Sequence, residues 1–179
     1  MIYISLLRGI NVSGQKKIQM AELKSLYESL GFENVTTYIQ SGNVVFSSKE
    51  IDELKLAKLI SDKIREVLGY NVSIIIRSKI EWEKLIADNP FSKRENFDVK
   101  KMHVTLITEQ PTMIGGDIFD RVKYDSEEYV IGERHIYLYF PEGYGQTKLS
   151  NNYIENKLKV SATTRNWNTV MKLSELAGR

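Results

Sequence analysis

Val35-Thr36-Thr37-Tyr38-Ile39-Gln40-Ser41-Gly42-Asn43-Val44-Val45-Phe46-Ser47 is the stretch whose reading decides the fold. Its runs 35–40 and 43–47 are rich in β-branched and aromatic residues, which suit a pleated surface. Only Ser41-Gly42 separates them, a spacing that predicts a tight antiparallel hairpin. On its N-terminal side, residues 20–30 set Met20, Leu23, Leu26, Tyr27 and Leu30 on one helical face. Gly31 stands where a C-cap glycine belongs, and residues 2–7 read as a short buried strand. On its C-terminal side, Ser47 and Glu50 have the spacing of a capping box. The helix it would open has Ile51, Leu54, Ala57, Ile60, Ile64, Val67 and Leu68 as its apolar face and ends at Gly69. Residues 72–76 then read as another buried strand.

The order is β-α-β-β-α-β, the ferredoxin-like split βαβ arrangement with an antiparallel sheet and both helices on one face. Ser78 and Glu81 form a second capping box, opening a helix with Trp82, Leu85 and Ile86 that stops at Asn89-Pro90. Residues 91–101 are polar and loop-like. Beyond them the pattern predicts strand 102–108, a weak glycine-containing helix near 116–123, strand 127–131, a turn at Gly132-Glu133, and strand 135–140. Helices near 151–159 and 164–177 complete it. The β-α-β-β-α order thus recurs about 100 residues on. The expectation is an α+β protein of two ferredoxin-like halves with antiparallel sheets: an N-terminal half (1–77), a connecting helix and loop (78–101), and a C-terminal half with a terminal helix (102–179).

Composition narrows the function classes. Of 179 residues, 42% are apolar and 27% charged, ordinary values for a globular chain. The absence of Cys excludes disulfides, thiolate metal sites and a Cys nucleophile. His103 and His135 are the only histidines, so a three-His metal site is impossible; no metal and no cofactor is expected. The net charge of +2 is unlike that of a dedicated nucleic-acid coat. No run reaches the roughly 18 apolar residues of a membrane span, and the apolar start meets Arg8 too soon for a signal peptide. A cytoplasmic location is expected. The charge is unevenly placed: residues 109–133 hold seven acids and two bases, and residues 143–179 hold six bases and two acids.

Three polar segments carry glycines that do not suit regular structure. Arg8-Gly9-Ile10-Asn11-Val12-Ser13-Gly14-Gln15-Lys16-Lys17 follows a strand and precedes a helix, where phosphate loops occur. Gly9 to Gly14 has Walker A spacing, but Gln15 replaces the required Lys and no hydroxyl follows to hold magnesium. It reads as a general anion-binding turn or as a structured connection. Tyr38 to Asn43 reads as a hairpin tip or as a partner of that loop. Glu142-Gly143-Tyr144-Gly145-Gln146-Thr147-Lys148 leads into a helix N-terminus capped by Ser150 or Asn151, a position that attracts anions. In Thr164-Arg165-Asn166-Trp167, Arg165 is expected in a first helical turn, where a cation opposes the dipole. That placement implies a partner, Glu155, Glu142 or an anionic ligand. Trp167, Val170, Met171, Leu173 and Leu176 form a core stripe.

Together Leu6-Leu7-Arg8-Gly9-Ile10-Asn11-Val12, Tyr38-Ile39-Gln40-Ser41-Gly42-Asn43, Asn89-Pro90-Phe91, Glu142-Gly143-Tyr144-Gly145 and Thr164-Arg165-Asn166-Trp167-Asn168-Thr169 resemble the signature segments of a bacterial domain-of-unknown-function family, DUF family 1697, over essentially the whole chain. The resemblance implies an α+β fold of two ferredoxin-like halves and no established activity. Ser13 stands where members commonly carry Gly, and Thr147 where many carry Ser.

The cations and directional donors of these segments motivate a ligand-binding reading. Arg8, Asn11, Lys17, Tyr38, Ser41, Asn43, Tyr144, Thr147, Lys148, Arg165 and Asn166 are the candidate ligand-binding residues. The ligand would be a small anion: a nucleotide, a phosphorylated metabolite or a carboxylate. Glu142 is the one carboxylate in these segments and the candidate general base. RNA or DNA binding is an alternative, with Tyr3, Tyr38 and Phe46 as strand aromatics available for stacking. The other alternative is a structural or partner-binding protein whose polar segments hold its halves together. The oligomeric state is not legible in the sequence.

Overall fold

The computed structural model describes residues 1–12, 14–111 and 118–179. The chain divides into two compact units: Met1–Leu85 with Lys172–Arg179, and Ile86–Met171.

In the first unit, strand β1 (Ile2–Leu7) leads to helix α1 (Met20–Ser29). Strands β2 (Glu33–Tyr38) and β3 (Asn43–Ser47) follow, then helix α2 (Glu53–Leu68) and strand β4 (Ile74–Ser78). Helix α3 (Lys79–Ala87) begins at the end of β4. The sheet order is β2-β3-β1-β4, antiparallel throughout. Along β1 the side chains alternate. Tyr3 and Leu7 join Leu23, Leu26 and Tyr27 of α1 and Leu56, Ile60 and Ile64 of α2 in one apolar cluster. Burying each such side chain contributes about 1.5–3 kcal/mol. Aromatic edges organise it: Tyr27 meets Phe46 at 5.4 Å and Phe32 at 5.9 Å between ring centroids. The Ser5 hydroxyl shares a buried 2.7 Å hydrogen bond with the Tyr27 phenol, whose pKa burial pushes well up.

The second unit repeats the sheet order, with no helix between its first two strands among the described residues. Strands β5 (Met102–Ile107), β6 (Glu128–Ile131) and β7 (His135–Tyr139) precede helix α4 (Asn151–Leu158) and strand β8 (Ala162–Asn166). Helix α5 (Trp167–Ala177) follows directly. The sheet order is β6-β7-β5-β8, again antiparallel. Its core gathers Ile107, Phe119, Ile136, Leu138, Phe140, Ile154 and Leu158. Thr164 Oγ1 donates to Asn151 Oδ1 at 2.6 Å and lies 2.7 Å from Thr105 Oγ1. Thr164 has one hydroxyl proton, so Thr105 is the donor to it. The chain is thus α+β with two ferredoxin-like halves. No helix among the described residues is long and apolar enough to cross a membrane.

Several local expectations are corrected. The helix predicted over 164–177 is strand β8 followed by α5. β-branched Thr163 and Thr164 take up a ladder with β5, and Asn166 Oδ1 then accepts from Thr169 N at 2.8 Å, capping α5. Arg165 therefore sits in a strand, and the dipole argument for a partner does not apply. Ser47 does not cap α2. It ends β3, and Asp52 is the N-cap, accepting from Leu54 N and Lys55 N. Of the predicted apolar face Ile60 and Ile64 are buried, joined by Leu56, whereas Ile51 and Leu54 are exposed at 73% and 72% and Val67 is exposed too. The hairpin loop is Ile39–Gly42, longer than two residues, because Ile39 turns to φ 47° and leaves the ladder. Strand β4 starts at Ile74; Val72 packs in the core without joining the ladder. Of the helix predicted near 116–123, residues 116 and 117 lie outside the described residues, as does Ser13, and residues 118–123 form turns. The Ser78–Glu81 capping box forms as predicted, with Ser78 Oγ 2.9 Å from Glu81 Oε2.

Candidate functional site

The segment after β1 doubles back on itself. Asn11 N donates to Lys16 O at 3.2 Å and Gln15 N to Val12 O at 2.9 Å. Asn11 and Lys16 accommodate this at positive φ, 54° and 44°. Lys16 Nζ is spent on Asn71 O at 2.6 Å, and Arg8, half-buried, is tied by its backbone N–H to Ser73 O at 2.9 Å.

Asn11 joins this segment to the hairpin tip. Its Nδ2 donates to Gln40 O at 2.8 Å and to Ile18 O at 3.0 Å, and its Oδ1 accepts from Ile18 N at 2.9 Å. Gly42 brings the tip close: its φ is 71°, and a Cβ there would lie 2.7 Å from both Leu7 Cβ and Ile10 Cδ1. Within the tip, buried Asn43 donates from Nδ2 to Tyr38 O at 3.0 Å and to Ser41 Oγ at 2.9 Å. The hairpin tip thus lies beside the first loop, the second of the two readings its sequence allowed. Asn11 and Asn43, expected as ligand donors, use these amide groups to hold the segments together.

What the loops leave open is a cleft of about 650 Å³, lined by Asn11, Lys17, Gln40 and the first turn of α1. Lys17 is exposed there and makes no ion pair among the described residues. Gln19 occupies the α1 N-cap without closing its side chain onto the first turn, so the cleft faces the positive end of the helix dipole. Glu22 in that turn is the opposing charge. Tyr38 and Ser41 are half-buried in the adjoining tip.

The remaining candidates belong to the second unit, and each has its own neighbours. Tyr144 stacks on His103, with ring centroids 5.1 Å apart. Thr147 Oγ1 accepts from Leu149 N at 3.0 Å, and Ser150 Oγ caps α4 from Tyr153 N at 3.3 Å. Lys148 Nζ lies 5.3 Å from the centroid of the Tyr124 ring, a cation–π distance. Arg165 is buried and donates to Thr163 Oγ1 at 2.7 Å and Thr164 O at 2.9 Å. Asn166 caps α5, and Glu142, the candidate base, is exposed. In Asn89-Pro90-Phe91, Asn89 Oδ1 accepts from Phe91 N at 2.9 Å. Asn89 Nδ2 is buried with no acceptor among the described residues.

The histidine beside Tyr144 was not legible in the sequence, because the stacking crosses from β5 to a loop some forty residues away. Its Nδ1 faces Lys101 O at 3.3 Å; a carbonyl only accepts, which puts the proton on Nδ1. Burial holds the His103 imidazole below its ordinary pKa of 6.5. The uncapped α1 N-terminus did have a sequence signal, since Gln19 stands where Ser, Thr, Asp or Asn would cap. Tyr3 and Phe46, considered as stacking aromatics, are fully buried in the first core. No group of three His, Asp or Glu that could hold a metal occurs among the described residues.

These features define a class: an α+β protein of two four-stranded antiparallel sheets with ferredoxin-like strand order, carrying polar signature loops. The chain belongs to the family described as protein of unknown function DUF1697, whose model matches residues 1–137. Among solved structures it is similar to a conserved bacterial protein from Streptococcus pneumoniae, with 24% identity, 98% of each chain covered and a TM-score of 0.75. That likeness is one of fold. No curated protein matches the chain.

Proposed function

We propose that this protein binds a small anionic ligand, a nucleotide, phosphorylated metabolite or carboxylate, at its signature loops, in the cytoplasm. One observation carries the reading: exposed Lys17 and the uncapped first turn of α1 line the same cleft as Asn11 and Gln40. Helix N-terminal N–H groups attract an anion by their dipole, and a mobile ammonium supplies the counter-charge. Lys17 and Glu22 cancel in formal charge, so recognition rests on directional N–H donors more than on net charge. Binding should therefore depend weakly on salt. RNA or DNA binding would instead weaken steeply with ionic strength, one phosphate contact at a time. The Cys-free composition supports the cytoplasmic assignment.

Thermal unfolding of the full chain with inorganic phosphate, adenosine monophosphate or citrate tests the proposal. Saturable stabilisation by at least one of them is expected, as mass action requires of a ligand that binds only the folded state. Lys17→Glu should abolish it and leave the ligand-free melting temperature unchanged. No stabilisation at millimolar concentration, or an equal response in Lys17→Glu, overturns it.

A further inference from the structure

A second concavity lies in the first unit, with different chemistry. It holds about 520 Å³ where the C-terminus of α1 and the start of β2 meet the end of β3 and the first turns of α2. That volume is within the range of small-molecule sites, roughly 300–1,000 Å³. Leu30 and Leu59 give it most of its apolar surface, with buried Phe32 and Leu56 forming its floor. Phe32 and Leu56 are core residues whose surfaces end at the groove, and Leu59 stands at 45% exposure. The groove exists because α2 starts late. Asp52 rather than Ser47 caps it, and Ser48–Ile51 fold into a separate turn in which Glu50 Oε1 accepts from Ile51 N at 2.9 Å and Asp52 N at 3.0 Å.

The charges around the groove are unequal in availability. Of the Glu50 carboxylate, Oε1 is committed to the turn, and the ammonium groups of Met1, Lys49 and Lys55 outnumber the two acids of the lining. Lys55 lies at 3.9 Å from Asp52, a long and exposed pair that holds its ammonium weakly. Lys49 is exposed and makes no ion pair among the described residues. Glu33 is the remaining acid of the lining. An apolar surface with an uncommitted ammonium beside it is complementary to one kind of small molecule: an apolar body with one anionic end.

We propose that this groove is a binding site for a small amphipathic monocarboxylate, its chain against Leu30, Phe32, Leu56 and Leu59 and its carboxylate at Lys49. The cation selects the anion over an uncharged analogue; the apolar surface supplies most of the affinity. The site is separate from the loop cleft at Lys17 and does not depend on it.

Methyl NMR of the full chain, titrated with decanoate below its micelle-forming range and with decanol as the uncharged control, tests the proposal. Decanoate is expected to shift the Leu30, Leu56 and Leu59 methyl signals saturably, and decanol to bind more weakly. Leu59→Glu should weaken decanoate binding about tenfold or more, and Lys49→Glu severalfold, with loss of the preference over decanol. Leu59 and Lys49 are solvent-accessible, so both variants should fold, as their amide spectra will show. Leu54→Glu, on an exposed residue outside the groove lining, should bind as the parent does. Absence of saturable shifts at millimolar decanoate overturns the proposal. So do shifts centred on other methyls, equal binding of decanol and decanoate, or groove signals that move with protein concentration alone, which would mark the face as a contact between copies of the chain.

Discussion

The two halves share a strand order and differ in what they bury. Both sheets run antiparallel in equivalent orders, and in both a buried arginine on the closing strand pairs with the central strand at the same register. Arg77 stands opposite Ile4, and Arg165 opposite Val104. The residue after each arginine caps the next helix, Ser78 with Glu81 and Asn166 through Thr169 N. Counting from those arginines, Tyr3 corresponds to His103 and Ser5 to Thr105. In the first half these positions feed an aromatic cluster with one hydroxyl pair. In the second they feed a stacked histidine and a chain of polar groups, Thr105 to Thr164 to Asn151. Both halves rest on an apolar cluster; what differs is the matched strand positions, which carry an aromatic cluster in one half and a stacked histidine with a hydroxyl chain in the other. Hydrogen bonds contribute about 1 kcal/mol each and are costly when one partner is removed. Apolar area resists single polar changes and suffers most from cavities.

The sharpest way to break the comparison is Phe46→Ala. Phe46 contacts Tyr3, Tyr27 and Phe32 at centroid distances of 5.7, 5.4 and 4.6 Å. Its truncation should cost about 3–5 kcal/mol, read as a lower urea midpoint, with hydrogen exchange accelerated first in the first half. Gly42→Ala comes next, at about 2–3 kcal/mol, because positive φ and a Cβ 2.7 Å from Leu7 and Ile10 must both be accommodated. It should also blunt the anion response, since the hairpin tip and the first loop move apart. Asn11→Ala strips the clamp between those loops; about 1–2 kcal/mol is expected, with faster amide exchange at Ile18, whose N–H loses its acceptor.

Two smaller tests address the polar groups of the second half. Thr164→Val removes both hydroxyl contacts at once and should cost about 1 kcal/mol, measured by denaturant unfolding; a neutral result would mean that the polar chain contributes no net stability. The last test is pH. Folding keeps His103 neutral below the ordinary imidazole value of 6.5, while the unfolded chain takes up a proton. The unfolded state then binds more protons, so stability falls as the pH drops below about 6.5 and levels off once the folded value is passed. His103→Phe should remove that slope relative to the parent. An identical slope in the variant would assign it to other groups.

How far the site was legible follows from the same contrast. The candidate residues of the first half sit in two short segments, each marked out by its own composition, but their contact is long-range: Asn11 reaches Gln40 across 29 residues because β1 pairs with β3. Asn11 and Asn43 were legible as special but not in their role: an amide reads alike whether it waits for a ligand or ties two loops. The Tyr144–His103 stack, the Lys148–Tyr124 contact and the groove at Lys49 each join residues far apart in sequence or depend on where α2 starts, and neither kind of information is periodic.

By itself the sequence determined the element order of the first half and the two-half plan, because hydrophobic periodicity and turn chemistry are local properties. Absence of Cys and the scarcity of His also settled which metal and nucleophile chemistries the chain cannot support. Only the tertiary structure decided that Thr163–Asn166 is a strand. The intrinsic preferences of Thr-Thr-Arg-Asn are compatible with a helix start or an edge strand, and pairing with β5 selects the second. The tertiary structure likewise decided which apolar residues of the α2 segment meet the sheet: Leu56, Ile60 and Ile64 pack against it, whereas Ile51 lies ahead of the cap at Asp52 and Leu54 stays exposed.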